Sequence, residues 1–328
     1  SATVFSAVNA LGGGSIVNAT GGVLTGGNDA TFGEAVQFNS GTASFTNYGS
    51  ASSAIGKGVF VNGAAATTIN LHAGSTTGSI QTGGGNDTVA LFNGRGTAST
   101  AMVDGPSGIT LQNAGTLAGA TVGSIDLGGG TNTLALRGIG DGTAANGAIG
   151  ILSVSSIAGL SVLNKLDSGT WNVTNGSFNY TGGTNVLGGR LVFVNRTAPS
   201  GTATISSGGT LEFNLSGGTY FQDAATFNGA GIFVKSGTAD LASRSLISLA
   251  SGGLIDVQAG RLVGSSDGQG RFTGNLASLN IASGANFSTS EALVIVDRLT
   301  GTGTVATDVS GNFTVGIENG TATFDGNI

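Results

Sequence analysis

The six residues Gly188-Gly189-Arg190-Leu191-Val192-Phe193 return 20 positions later as Gly208-Gly209-Thr210-Leu211-Glu212-Phe213. A chain that restates itself at so short an interval builds a stack of equivalent units, because a unit of that size cannot bury its own apolar face without its neighbours. Ile205-Ser206-Ser207-Gly208 likewise recurs as Leu249-Ala250-Ser251-Gly252 and as Ile281-Ala282-Ser283-Gly284, at offsets of 44 and 32. In the first half, residues 78–91 match residues 123–136 at 9 of 14 positions. Their offset of 45 reads as two units of about 22.

Inside each unit the apolar residues alternate. In residues 210–215, Leu211, Phe213 and Leu215 are expected on one side and Glu212 and Asn214 on the other, the period of a half-buried strand. Similar short runs are Val59-Phe60-Val61, Val89-Ala90-Leu91-Phe92, Leu134-Ala135-Leu136, Leu191-Val192-Phe193-Val194, Leu254-Ile255-Asp256-Val257 and Leu293-Val294-Ile295-Val296. Gly, Asn, Asp or Ser bound them, the residues that tolerate turn conformations. Glycine fills 62 of 328 positions, which excludes a mainly helical chain, since each interior Gly costs a helix about 1 kcal/mol relative to Ala. Two Pro and no period of three exclude collagen. Two or three short strands per unit predict an all-β parallel β-helix of about 15 coils, with Val, Ile, Leu and Phe stacked inward, Thr, Ser and Asn outward, and Gly at the corners. Sixteen Phe against three Tyr fit a dry core, because Phe has no hydroxyl to satisfy. A β-sandwich is the competing fold, and it supplies no reason for the repeat. The coils are read as one continuous solenoid in two stretches, residues 1–165 and 166–328.

Charge removes several functions. The net charge is −6, and 11 basic residues spread over the chain form no positive stripe for phosphates or an anionic membrane. With no Cys, there is no disulfide, thiol nucleophile or zinc thiolate site. No apolar run approaches the roughly 20 residues of a membrane-spanning helix. The first residue is Ser1, so the chain reads as a processed or trimmed segment.

Tyr180-Thr181-Gly182-Gly183-Thr184-Asn185-Val186-Leu187-Gly188-Gly189-Arg190-Leu191-Val192, followed by Ser206-Ser207-Gly208-Gly209-Thr210-Leu211, resembles the passenger-associated repeat of bacterial autotransporters. Residues 229–237 and 299–305 are similar to the linking coils of that family, and Asn113-Ala114-Gly115-Thr116-Leu117-Ala118-Gly119 to its N-x-G-T-I-x-G coils. The resemblance implies a right-handed β-helical passenger on the surface of a Gram-negative bacterium or released from it, carried across the outer membrane by a C-terminal β-barrel of type V secretion. No strand set of the outer-membrane kind occurs in these residues, so the segment reads as all or part of a passenger. The function expected is that of a non-enzymatic adhesin or cell–cell interaction domain, of virulence-factor type. Its partners would be a surface protein or glycan of a host or neighbouring cell, and its own barrel. The alternatives are a polysaccharide-acting enzyme on the same scaffold, and a purely structural stalk.

The chemical motifs are sparse. Thr82-Gly83-Gly84-Gly85-Asn86-Asp87-Thr88-Val89-Ala90 matches the calcium nonapeptide G-G-x-G-x-D-x-U-x except at Thr82. Its counterpart at residues 128–134 carries Asn132 in place of the acid, so the expectation is a glycine corner with Asn86 and Asp87 in turn positions. Asp240 and Asp256, 16 apart, and Asp104 and Asp126, 22 apart, are the candidate carboxylate pairs for glycoside chemistry. The plainer reading is solvated acids paired with Arg244 or Arg261. His72, the single histidine, has no Ser or Asp companion visible by motif. Trp171 and Tyr180 are expected to pack in the core or at an edge rather than to stack on sugars. No catalytic, cofactor-binding or metal residue is therefore assigned. Ligand specificity is expected in two interruptions of the repeat, residues 94–106 and 137–148.

Overall fold

The computed structural model describes residues 5–29, 32–72, 75–93, 125–177, 180, 182–264, 271–290, 293–306 and 311–328, and every regular element among them is a β-strand. The chain divides into two compact units, Ser1–Tyr180 and Thr181–Ile328. Each is a parallel β-solenoid whose strands pair with the strands one coil before and one coil after.

In the first unit, one face stacks Val8–Ala10, Val36–Phe38, Lys57–Val61, Ser79–Gln81, Ile125–Asp126, Gly150–Ala158 and Thr170–Ser177 in that order. A second face stacks Gly14–Asn18, Ala43–Asn47, Thr67–Leu71, Thr88–Asn93, Asn132–Gly138 and Leu160–Lys165. A short third face holds Val23–Gly26, Ser50–Ser53 and Thr76–Thr77. In the second unit, one face stacks Gly189–Val194, Gly209–Asn214, Ile232–Ser236, Leu254–Val257, Ser278–Ile281 and Leu299–Gly301. The other stacks Thr184–Val186, Gly201–Ile205, Thr219–Gly229, Asp240–Leu249, Arg261–Val263, Asn286–Ser288 and Thr304–Ala306. Leu293–Val296 and Asn312–Val315 form a separate parallel pair.

The sequence repeat is the register. Gly189 through Val194 pair residue for residue with Gly209 through Asn214, the 20-residue offset read from the chain. In-register pairing puts like on like. Leu191, Leu211, Phe233, Ile255 and Leu279 form one inward column of the second unit, all buried. Phe45, Ile69, Val89, Leu134 and Leu163 form its counterpart in the first. Each such side chain contributes about 1.5–3 kcal/mol by leaving water. Phe213 stacks on Phe193 at 5.6 Å between centroids and meets Phe233 at 5.5 Å and Phe227 at 5.8 Å.

The corners explain the tetrapeptide copies. Gly253 N donates to Ala250 O at 3.0 Å, and Gly252 between them has φ 82°. That is the third position of a type II turn, where a Cβ would be strained. The same bond closes the turns at Ser206–Gly209 (2.7 Å) and Ala282–Ala285 (3.0 Å). The offset of 44 spans two coils, since Gly201–Ile205 pairs with Thr219–Gly229, which pairs with Asp240–Leu249. The offset of 32 is not a whole number of coils: the first two copies lead out of one face, and the third follows Ser278–Ile281 on the other.

Three further expectations need correction. The offset of 45 is one coil, not two, because Thr88 pairs directly with Thr133 and Leu91 with Leu136. The coils are slightly fewer than about 15: among the described residues each of the two long faces has 13 strands, counted over both units. Coil length in the first unit varies: Val8 pairs with Val36, 28 residues on, and Ile125 with Ile157, 32 on, but Val59 pairs with Ile80, 21 on, and Gly150 with Trp171, 21 on. Glu212 points away from the core, as expected, yet is 4% exposed. Arg190 forms an ion pair with its carboxylate, and Ser236 Oγ donates to its Oε1. Trp171 is wholly buried against Gly150, where an added Cβ would lie 2.4 Å from the indole, and its Nε1 donates to Arg137 O at 2.7 Å. Tyr180 is buried as well, so both aromatics pack as expected.

Two lysines sit at inward positions. Leu91, Leu136 and Lys165 form one register column, and Phe193, Phe213 and Lys235 another. Both lysines are wholly buried. Lys165 Nζ donates to Leu166 O and to Asp167 O at 2.9 Å. Lys235 Nζ donates to Ser236 O, Gly237 O and Ala259 O at 2.7, 2.9 and 3.1 Å. Each ammonium thus bonds the carbonyls of a corner, including Ser236 O, which also accepts from Leu215 N at 3.1 Å.

Burial pushes both ammonium groups down from 10.5 to about 8, while nearby carboxylates (Asp167 for Lys165, Asp240 and Glu212 for Lys235) pull partly the other way. The unfolded chain keeps these protons to higher pH than the folded chain, so the folded state gains stability as pH rises from about 8 toward about 10.5. Urea unfolding midpoints should therefore rise between about pH 7.5 and 9.5, less so in Lys235→Met, and not at all in the Lys165→Met/Lys235→Met double variant. A wild-type midpoint that stays flat or falls over this range contradicts the assignment.

Candidate functional site

The first unit carries an outward cleft of about 230 Å³ lined by Phe5, Ser6, Asn9, Phe32, Gln37 and Asn39. Its floor comes from strands Val8–Ala10 and Val36–Phe38, which pair Asn9 with Gln37. Because strand residues alternate, burying Val36 and Phe38 turns Gln37 to the other side, where Ser6 and Asn39 cover it to 5% exposure and its amide positions theirs. The amides form a ladder: Asn39 Nδ2 donates to Asn9 Oδ1 at 2.6 Å, and Gln37 Nε2 to Asn39 Oδ1 at 3.0 Å. Ser6 Oγ lies 3.1 Å from Gln37 Oε1. Above this floor Phe5 and Phe32 are 71% and 49% exposed, although Phe is ordinarily a buried residue.

The same outward column continues through Phe60 and Gln81, each in register with the residue before it. Beside it, a small cavity of about 30 Å³ is lined by Glu34, Lys57, Val59, Phe60, Ser79 and Gln81. Lys57 Nζ donates to Glu34 Oε1 at 2.8 Å, whereas the buried Glu34 Oε2 accepts no hydrogen bond. The cleft therefore offers neutral donors and acceptors, two aromatic rims and one shielded carboxylate oxygen nearby. Such a set suits a hydroxyl-rich, uncharged ligand, with amides for its hydroxyls and rings for its C–H faces.

A second outward column lies on the neighbouring face. His72 is sandwiched between Tyr48 and Phe92, at centroid distances of 4.1 and 4.3 Å, and the Arg137 guanidinium covers Phe92 at 5.3 Å. Arg137 in turn pairs with Asp167 at 3.2 Å. Burial pushes the Asp167 carboxyl up, but hydrogen bonds from Arg137 and the Gly138 amide, with the charges of Arg137 and Lys165, outweigh it and hold the group below its ordinary value. The rings of this column face one another, so they stabilise the stack rather than present faces to a ligand.

The candidate acids are not brought together. Asp240 opens strand Asp240–Leu249 and pairs with Arg261 at 2.7 Å, while Asp256 lies on the other face and accepts from Gln258 and Asn280, each at 2.7 Å. Asp240 thus has the Arg261 partner of the plainer reading, whereas Asp256 is held by amides and Arg244 pairs with Asp223 instead. Asp104 lies outside the described residues, as does the segment 94–106. Asp126 belongs to strand Ile125–Asp126. In the other interruption, Arg137 and Gly138 end a strand. Residues 139–148 then close around Asp141, whose carboxyl is held below its ordinary value by hydrogen bonds from Thr143 and Asn146. Residues 83–86 form the expected glycine corner, but Asp87 is not a surface turn residue: it points inward and is 1% exposed.

None of the cleft residues was legible as a site. Phe5 and Phe32 are 27 positions apart, in a coil longer than the 20–22-residue repeat, and only the register places their segments together. Comparison with models of known families, with curated proteins and with solved structures finds no match to this chain.

Burial pushes the His72 imidazole down from 6.5 to about 4. The unfolded chain takes up the proton first as pH falls, so the stability held by neutral His72 drains away between about pH 6.5 and 4. An NMR titration should find the imidazole still neutral at about pH 5.5. In His72→Phe the acid-side loss of stability should shrink. An ordinary titration midpoint near the free value would show the sandwich to be open to water.

Proposed function

We propose that this chain is a non-enzymatic passenger of the autotransporter type, displayed on or released from a Gram-negative cell, and that it binds a carbohydrate-bearing partner through the outward face of its first unit. The carrying observation is the cleft itself: two exposed Phe rings rim a ladder of Asn9, Gln37 and Asn39 amides. Aromatic rings left in water without a structural task are costly, and they recur where a ligand covers them. The absence of charge on that ladder favours a neutral glycan over a phosphate or a polyanion.

The export half of the reading rests on the resemblance of residues 180–211, and the register supports it, since Gly189 to Val194 stack coil on coil with Gly209 to Asn214. A parallel solenoid suits such a role: coils pair locally, so folding can propagate from coil to coil. It also supplies a rigid base for side chains that must meet an extended ligand.

The test is binding of the purified chain to cultured epithelial cells and to arrayed neutral oligosaccharides. Phe5→Ala/Phe32→Ala should lower affinity at least about tenfold, as should Gln37→Ala, with circular dichroism and melting temperature unchanged for the Phe pair. Equal binding by wild type and the Phe double variant would refute the cleft as the binding surface.

A further inference from the structure

The outward column that floors the cleft continues past it. Asn9 pairs with Gln37, Gln37 with Phe60 and Phe60 with Gln81, so four successive coils each place one residue on the same line. At the second level the surface is formed by Ser6 and Asn39, which the Gln37 amide holds. At the third, Val59 and Val61 are buried on either side of Phe60, and alternation turns its ring outward, where it is half-buried. At the fourth, Gln81 is exposed. Each step along the line is one coil, about 4.8 Å.

Two cavities lie on this line. The cleft of about 230 Å³ takes Asn9 and Gln37 into its lining, and the cavity of about 30 Å³ takes Phe60 and Gln81, with Ser79 and Lys57 beside them. The smaller one has room for a single hydroxyl-sized group. Charge does not disturb the line. Lys57 Nζ donates to Glu34 Oε1 at 2.8 Å, and Glu34 is 2% exposed, so a buried carboxylate neutralises the ammonium that lines the smaller cavity. A ligand that reaches both cavities must cross coils instead of following one strand. It needs a polar edge or an apolar ring face at each step, in a straight line, and no branch that lifts it off the surface. An extended glycan chain meets that demand, because it advances by a comparable distance per sugar ring.

We propose that the first unit binds a linear, unbranched, neutral oligosaccharide laid along the coil stack, with Phe60, Ser79 and Gln81 as a second subsite beyond the cleft. One sugar ring lies over each coil from Asn9 to Gln81. Phe60 offers an aromatic surface to the C–H side of the third ring, and Gln81 and Ser79 bond hydroxyls of the fourth, one of which seats in the smaller cavity. This rests on the glycan reading of the cleft and adds to it the class of glycan, its direction and its length.

The test is calorimetric titration of the intact chain with linear gluco-, manno- and galacto-oligosaccharides of increasing length, and with branched isomers of the same size. Wild-type affinity should climb with length to about four units, the number of positions in the column, and then level off. Phe60→Ala should lower affinity for the four-unit chain about tenfold and leave the two-unit chain unaffected. Phe60→Leu, which keeps the apolar bulk without the ring and so protects the fold, should do the same. Gln81→Ala should act in the same direction by a smaller factor, whereas Phe5→Ala/Phe32→Ala should weaken both lengths. Added NaCl should leave the affinity unchanged, as an uncharged ligand requires. Three results would overturn the second subsite while leaving the cleft in place: a four-unit chain bound no more tightly than a two-unit one, an undiminished four-unit affinity in both Phe60 variants, or a branched isomer bound as well as the linear chain. A steep fall of affinity with salt would overturn the neutral class of ligand. A wild type that binds no member of the series would bring down the glycan reading and this one together.

Discussion

Everything in this protein follows from the backbone ladder between parallel coils. Neighbouring strands lie about 4.8 Å apart, and the hydrogen bonds that hold them there align each residue with one partner above and one below. A side chain therefore has no choice of neighbour; the repeat decides it. Where the partners are alike, the contacts reinforce one another along the stack, as in the Phe193 and Phe213 pair. The rule extends to polar residues. Asn18 Nδ2 donates to Asn47 Oδ1 at 2.8 Å, and Asn47 Nδ2 to Thr77 Oγ1 at 2.9 Å, a buried polar run inside the first unit that satisfies itself coil by coil.

The ladder leaves one problem unsolved, which is the corner. There the chain changes face, strand pairing lapses, and buried carbonyls point inward. Three solutions coexist. Glycine turns such as Ser251-Gly252 close the backbone on itself. Asn132 fills a corner with an amide. Lys165 and Lys235 thread an apolar stem through the core and deliver an ammonium to the carbonyls. Asp87 occupies such a corner with one buried carboxylate oxygen that accepts no hydrogen bond.

Outward positions carry no such obligation. The inward columns hold the coils together, so an array of amides and rings such as Asn9, Phe60 and Gln81 can be set on a rigid surface. By contrast, the stacked Tyr48, His72 and Phe92 rings turn their faces to each other and act as exterior packing.

The sequence by itself determined the architecture. The pairing of Gly189 with Gly209 was legible because a repeated coil must lie on its copy, and alternation told which side of Leu211 and Phe213 is buried. Coil length in the first unit was not legible: an offset of 45 looks like two coils, and only backbone pairing makes it one. Nor could the chain announce that Asp240 and Asp256 lie on different faces, because the position of each corner, not the distance along the sequence, sets the face. Buried lysines escape any hydropathy reading, since their burial depends on carbonyls that exist only once the corner has formed. The cleft shares that character: its residues are ordinary in sequence, and only the ladder sets their segments side by side.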